Sequence, residues 1–360
     1  MKPFRIVAVG LLVGSLSACS TLQYYAQAAQ GQMALLAEAR PIDDWLADSK
    51  TDPQLKHKLA QARRIRDFAV QVLALPDNAS YRRYAALPRR FVVWNVVAAP
   101  ELSLQPLQWC FPVAGCVSYR GYYSKEAADA YAQELRAEGF DVQVGGVSAY
   151  STLGWFNDPL LSTFIDYPEA ELARLVFHEL AHQVAYAPGD PQFNEGFATA
   201  VEEVGVQRWL DLHGTPELRA AYARHDARRH DWNALLLDSR RALAALYAAP
   251  GSDADKRAGK ARLFAQLQQN YQALKQRWGG YAGYDRWFAE PLSNAHLAAV
   301  ATYADLVPAL RALLARSPNL AAFYRTAQEL ATRDKDARHA YLNSLLARAP
   351  DAATQHVVSP

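Results

Sequence analysis

Two short segments constrain this chain more than any others: His178-Glu179-Leu180-Ala181-His182, then Asn194-Glu195-Gly196-Phe197-Ala198. Histidines four positions apart face the same way on a helix. A carboxylate from a following helix can then close a three-ligand shell. Two neighbouring helices therefore have to pack so that His178, His182 and Glu195 converge on one cation. The first helix is apolar on several sides (Leu172, Leu175, Val176, Leu180, Val184), which reads as buried. Buried imidazoles need partners, and the two readings are a metal ion or a hydrogen-bonded pair of core histidines.

The donor set suits one Zn2+ ion, which takes imidazole nitrogen and carboxylate oxygen and in catalytic sites keeps a position open for water. Glu179, next to a ligand, is placed to take a proton from that activated water and pass it to a leaving amine. Glu202 lies on the same helical face as Glu195. It either fixes a ligand imidazole through its other N–H or is a solvated surface glutamate. Glu203 points elsewhere and reads as surface. Gly196, directly after the third ligand, suggests close backbone packing.

The 360 residues are 51% hydrophobic and 21% charged, which fits a globular chain with a large core or two smaller ones. Lys2 and Arg5 precede an apolar run, Ile6 to Leu16, too short to span a bilayer and of signal-peptide length. It ends in Leu16-Ser17-Ala18-Cys19, which resembles a bacterial lipobox. That resemblance implies lipidation of Cys19. Ser20, in place of Asp, implies transfer to the outer membrane, facing the periplasm. The alternative is a cleaved secretory peptide with an incidental cysteine. Without Lys2 and Arg5 the acidic and basic side chains balance, so no basic footprint for nucleic acid is present. Membrane attachment would rest on acyl chains. In an exported chain Cys110 and Cys116 are expected to form a disulfide, closing a short loop and contributing about 2 kcal/mol. The alternative, a metal pair, has no flanking histidine.

The fold class expected is α+β, predominantly α. The signal peptide takes 1–18, an N-terminal helical region 19–90, an α+β core with the metal motif 91–213, a C-terminal helical region 214–350, and a tail 351–360. Helices are expected over 20–47, 54–74 and 79–86, a buried strand over Phe91–Ala99, and extended structure over Val117–Tyr123. A helix over Lys125–Glu138 and a strand over Asp141–Val147 follow. Pairing should be antiparallel or mixed rather than doubly wound. Asp166 and Glu169 read as a capping box for the metal-binding helix, which should reach Tyr186. Asn194–Leu212 is the next helix, followed by helices near 215–247, 254–277, 293–315, 318–332 and 334–347.

His-Glu-Leu-Ala-His-Gln followed by Asn-Glu-Gly-Phe-Ala resembles the gluzincin metallopeptidases, most nearly aminopeptidase N and its relatives. The likeness covers residues 170 to 205. It implies zinc, a thermolysin-like helix pair, Glu195 as third ligand and Glu202 as a further acidic position. The spacing from His182 to Glu195 is shorter than in aminopeptidase N, and its Gly-x-Met-x-Asn segment is absent, so exopeptidase specificity does not carry over from that family. A closer resemblance covers most of the mature chain. The lipobox, Trp109-Cys110-Phe111-Pro112-Val113-Ala114-Gly115-Cys116, Tyr119-Arg120-Gly121-Tyr122, Ala149-Tyr150-Ser151-Thr152-Leu153-Gly154-Trp155-Phe156, Asn294-Ala295 and Thr302-Tyr303 are together similar to a bacterial family called predicted aminopeptidases. That likeness implies cleavage at the amino end of peptides.

Tyr303 and Tyr150 are the leading candidates for a donor to the developing oxyanion, with Tyr284 and Arg120 behind them. Tyrosine is abundant in the chain, so each of these tyrosines reads more often as a packing residue. In the zinc peptidases the chain resembles, an edge strand before the metal helix pairs with the peptide, and that likeness implies Gly145 to Phe156 for the role; the alternative is a core connection. Asp158 and Asp166 are the nearby carboxylates for a substrate ammonium. They read as a turn residue and a helix cap, so the chain singles out neither. His225 and His230 read as exposed, and His296 is a further site candidate. The function expected is a zinc-dependent aminopeptidase acting on small peptides. The alternatives are a non-catalytic zinc-containing envelope lipoprotein that binds peptides or proteins, and a zinc endopeptidase. Oligomeric state is not legible.

Overall fold

A computed structural model describes residues 24–111, 115–298 and 306–347. The targeting segment with Cys19, the segment carrying Tyr303, and the C-terminal tail lie outside the described residues. The chain is α+β and predominantly α. Helix α1 spans 24–38. The strands are β1 (Arg40–Pro41), β2 (Arg83–Ala85), β3 (Val93–Pro100), β4 (Trp109–Phe111), β5 (Gly115–Val117), β6 (Arg120–Tyr122), β7 (Phe140–Val147) and β8 (Leu160–Leu161). The further helices are α2 (Ile42–Ala47), α3 (Pro53–Gln71), α4 (Lys125–Ala137), α5 (Glu169–Ala181), α6 (Pro191–His213), α7 (Pro216–Ala248), α8 (Asp253–Arg277), α9 (Asn294–Ala298), α10 (Val307–Arg316), α11 (Leu320–Ala331) and α12 (Lys335–Ala347).

Strand β3 runs antiparallel between β6 and β7. Its apolar run is continuous because both faces are covered. Val96 and Ala98 pack with Ala128, Ala132 and Leu135 of α4, while Val97 and Ala99 pack with Ala295 and Ala298 of α9. The β4–β5 hairpin sets Cys110 opposite Cys116, and the two form a disulfide. A mixed sheet, β1-β2-β8, lies apart from these. The largest core gathers buried side chains of α3, α5, α6, α10, α11 and α12. Trp232, Phe264, Leu267 and Tyr271 form a second core between α7 and α8.

Helix starts follow local chemistry. Asp52 caps α3 by accepting from Gln54 N and Leu55 N, Thr215 caps α7, and Ser252 with Asp255 forms a capping box on α8.

Four expectations are corrected. Residues 79–86 are not helical: a turn leads into β2. The buried Arg66 guanidinium takes the carbonyls of Pro76, Asn78 and Ser80 at 2.7, 3.0 and 2.8 Å. Those acceptors are then lost to any helix, and Tyr81 sits at φ 61°. Helix α5 has no Asp166 capping box: its N-cap is Pro168, without a side-chain bond. Glu169 turns instead to Gln61 Nε2 at 2.5 Å and Trp209 Nε1 at 3.0 Å. The same helix ends at Ala181, with His182 as its C-cap, rather than reaching Tyr186. Over 293–315 one unbroken helix is not found: among the described residues Leu306 is the N-cap of a new helix, α10, which opens with Pro308 in its first turn, where a missing N–H costs nothing.

Asp190, 0% exposed, accepts from Arg338 Nε at 2.8 Å and pairs with His339 Nε2 at 2.8 Å. This joins the start of α6 to α12. Arg338→Met should leave the buried carboxylate underpaired and lower stability by about 3 kcal/mol in urea unfolding. A loss under 1 kcal/mol would remove this pair as a fastening of α12.

Candidate metal centre

Helices α5 and α6 pack closely. Gly205 makes this possible: a Cβ there would stand 2.7 Å from Phe177 Cδ2 and 2.9 Å from Leu73 Cδ1. At Gly196 the same atom would meet Leu310 Cδ1 at 2.9 Å, so α10 closes against α6 directly beside Glu195. The α5–α6 connection is pinned by Asn194, whose amide bonds Ala187 N at 2.7 Å and Ala187 O at 3.0 Å. Asp190 caps α6 by accepting from Phe193 N. These contacts fix where Glu195 begins.

His178 Nε2 and His182 Nε2 stand 3.2 Å apart. Glu195 Oε2 is 3.3 Å from His178 Nε2, and Glu195 Oε1 is 3.7 Å from His182 Nε2. A tetrahedral zinc with ligands at about 2.0–2.1 Å separates neighbouring donors by roughly 3.3 Å. The three donor atoms thus stand close to the spacing of one coordination shell, and the group could hold a metal ion.

The charge distribution fits a cation as well. Burial opposes the charge on His178, yet the hydrogen bonds and charges of Glu195 and Glu202 hold its ring well above the ordinary imidazole value. A proton there does what a metal ion would do, placing positive charge between two carboxylates. Burial pushes His182 down to about 4, the neutral form that binds metals. Its Nδ1 is buried with no partner among the described residues. Burial pushes Glu179 up to about 7, with Glu195, Asp158 and Glu202 adding to the rise against His178.

Glu202 is 3% exposed and accepts from His178 Nδ1 at 2.8 Å, leaving Nε2 directed at the cluster. Against burial, the charge of Arg174 and the His178 contact hold its carboxyl down at about 2. Arg174 Nη1 donates to both Glu202 oxygens at 3.0 Å, and its Nε donates to Glu171 Oε2 at 3.0 Å. His225 lies 2.8 Å from Glu171 Oε1 and is half-buried, not exposed as expected. Arg174 and Glu171 were missed in the sequence, although both share the helical stripe of His178.

The other candidates are scattered. The Tyr150 hydroxyl is 2.5 Å from that of Tyr123 and also donates to Gln32. Tyr284 stacks on Trp232, and Arg120 lies over the rings of Tyr24 and Tyr131. His296 is buried against Trp287, and its Nδ1 accepts from Ser293 N. His230 is exposed, and Glu203 pairs with Arg311. Strand β7 is an edge strand that ends at Val147, and 148–157 continues irregularly. Ser151 Oγ reaches the Glu179 carbonyl at 3.5 Å. The phenols of Tyr119 and Tyr186 lie within electrostatic reach of Glu195, and Tyr119 also within reach of Glu179.

Fold and site together define a mostly helical α+β protein with a two-histidine, one-carboxylate group able to hold a metal ion. A family model described as "Putative aminopeptidase" matches residues 23–342, and the chain belongs to that family. Membership points to a peptidase with a peptide substrate. No curated protein and no solved structure matches the chain.

Glu202→Gln should weaken affinity for added zinc by about 10–100-fold, because His178 loses the charge that orients it. Competition against a chromophoric chelator measures this. Unchanged affinity would leave Glu202 as a helix-pairing residue only.

Proposed function

We propose that this chain is a zinc-dependent peptidase of the cell envelope that cleaves at the amino end of peptides. The observation that carries this reading is the spacing of the His178, His182 and Glu195 donor atoms, 3.2 to 3.7 Å apart, with Glu179 one residue from a ligand. Two ligands from one helix and a carboxylate from the next is the arrangement expected of gluzincin, thermolysin-like sites. When bound, zinc would polarise a peptide carbonyl and acidify water.

The chain's own groups then divide the work. Glu179, enclosed and of raised basicity, takes the proton of the attacking water on its carboxylate and returns it to the leaving amine nitrogen. Glu202 and Arg174 keep the His178 ring in one tautomer and orientation. A donor to the carbonyl oxygen is the remaining requirement. Tyr150 and Tyr303 were expected in that role. Among the described phenols we assign it to Tyr119, which lies within electrostatic reach of Glu195 and Glu179, whereas the Tyr150 hydroxyl is engaged by Tyr123 and Gln32.

Attachment through a lipidated Cys19 to the outer membrane, facing the periplasm, belongs to the same proposal. The Cys110–Cys116 disulfide supports an oxidising compartment. Among the described residues no helix is long and apolar enough to cross a membrane.

Two measurements test the reading. Purified protein should carry one zinc, retained in Glu179→Gln and lost in His182→Ala. Glu179→Gln should lower peptide turnover by about 10²–10⁴-fold. Turnover that survives this change excludes Glu179 as the base, and equal zinc in wild type and His182→Ala excludes the site. Tyr119→Phe should reduce kcat by about 10²-fold or more with KM little changed, as loss of an oxyanion donor does. An effect confined to KM would assign Tyr119 to binding.

A further inference from the structure

A small cavity is lined by two polar residues, Tyr81 and Asp158, that lie within electrostatic reach of Glu179. Leu35, Tyr81, Tyr150, Asp158, Leu161 and Phe164 line it, and it has about the room of one water-sized group. Two segments bring its polar residues against α5. Asn78 Nδ2 donates to Gln183 Oε1 at 2.7 Å, and Gln183 Nε2 donates to Ser80 Oγ at 3.2 Å, which holds the turn carrying Tyr81. Ser151 Oγ reaches the Glu179 carbonyl, and Tyr81 N donates to Asp158 O at 2.6 Å.

Asp158 is 4% exposed. Its Oδ2 accepts from Thr152 N at 2.9 Å and its Oδ1 from Thr152 Oγ1 at 2.8 Å. Both bonds come from neutral donors, and each oxygen keeps a free lone pair. Among the described residues no arginine, lysine or histidine pairs with it. A buried carboxylate without a cation is costly, and such groups are ordinarily paired. Tyr81 strengthens the case. It is 1% exposed, held at φ 61°, and its hydroxyl has no partner among the described residues. The cavity thus holds a buried carboxylate without a counter-charge beside a phenol hydroxyl, able to donate or accept, that has no partner among the described residues; a compact cation that donates to both supplies the charge a water would not.

We propose that Asp158 and Tyr81 form the subsite for the α-ammonium group of the substrate. The inference rests on the peptidase reading above and supplies its amino-end specificity. A peptide ammonium is water-sized, carries three N–H donors and brings the charge that Asp158 lacks. Its attached carbonyl carbon lies only two bonds from the nitrogen, so a subsite adjoining Glu179 places the first peptide bond beside the reacting groups. Acetylation removes both the charge and the fit. Burial pushes the Asp158 carboxyl up to about 6, the behaviour of a carboxylate not yet paired with a cation.

Calorimetric titration of the zinc-loaded protein with leucine amide and N-acetyl-leucine amide tests this without relying on turnover. Wild type should bind the free amine and discriminate against the acetylated form. Asp158→Asn should weaken leucine amide by about 10–100-fold, with zinc content unchanged and acetylated ligand unaffected. Tyr81→Phe removes a hydroxyl that fastens nothing in the fold, so it serves should Asp158→Asn unfold. It should weaken leucine amide by about 3–10-fold. Equal binding of the two ligands by wild type, binding of neither, or unchanged affinity in folded Asp158→Asn would overturn the subsite. The two readings separate cleanly. Discrimination without any peptide turnover keeps the subsite and removes the hydrolase. Equal cleavage of free and acetylated peptides keeps the hydrolase and removes the subsite.

Discussion

The burial of negative charge between α5 and α6 is the constraint on which the rest depends. Glu202 is buried and Glu195 largely so between the two helices, and moving a carboxylate as enclosed as Glu202 from water costs several kcal/mol unless a cation answers it. The chain answers with an alternating series. Glu195 faces His178, His178 faces Glu202, Glu202 faces Arg174, Arg174 faces Glu171, and Glu171 faces His225 of α7. Every interior carboxylate in that series has a positive or protonatable neighbour on each side. The end at Glu195 has two imidazoles and two carboxylates in close quarters, where one compact divalent charge satisfies more groups than a proton can. The metal-binding chemistry and the stability of the helix pair are therefore one electrostatic problem.

Much of this was legible because helical periodicity is a local property. Glu171, Arg174, His178 and His182 follow one another at three- and four-residue spacing, so they share a stripe. Arg174 and Glu171, one and two turns before His178 on that stripe, were readable signals that went unused. The pairing of Arg174 with Glu202 depended on how two helices pack, which spacing alone leaves open. The long helices, β3 and β7 were legible for the same local reason, each carrying its own period. Errors fall where tertiary contacts override local preference. Arg66 of α3 claims the carbonyls of 76–80, so a helix-like string becomes a turn and a strand. Glu169 serves Gln61 and Trp209, so no capping box forms. His225 reads as exposed among charged neighbours, yet Glu171 from another helix draws it in.

The two walls of the site are held by different means. On the ligand side, Asn194 staples the α5–α6 connection, Gly196 admits α10, and Asp190 is gripped by Arg338 and His339 from α12. Residues near the end of the chain thus determine where Glu195 stands. Coordination tolerates errors of only about 0.5 Å, so this wall has to be over-determined. On the opposite side, 151–158 is fastened through Asp158, Thr152 and a long contact from Ser151, and it presents Trp155 and Phe156 to solvent. Leu153 takes left-handed backbone there at a local cost, and Gly154 follows it in the same region at none. A segment with few buried contacts can accommodate ligands of different shape, whereas a packed helix pair cannot. On the proposed peptidase reading, that division would keep the groups that act on the bond fixed and leave variation in the substrate to the 151–158 segment.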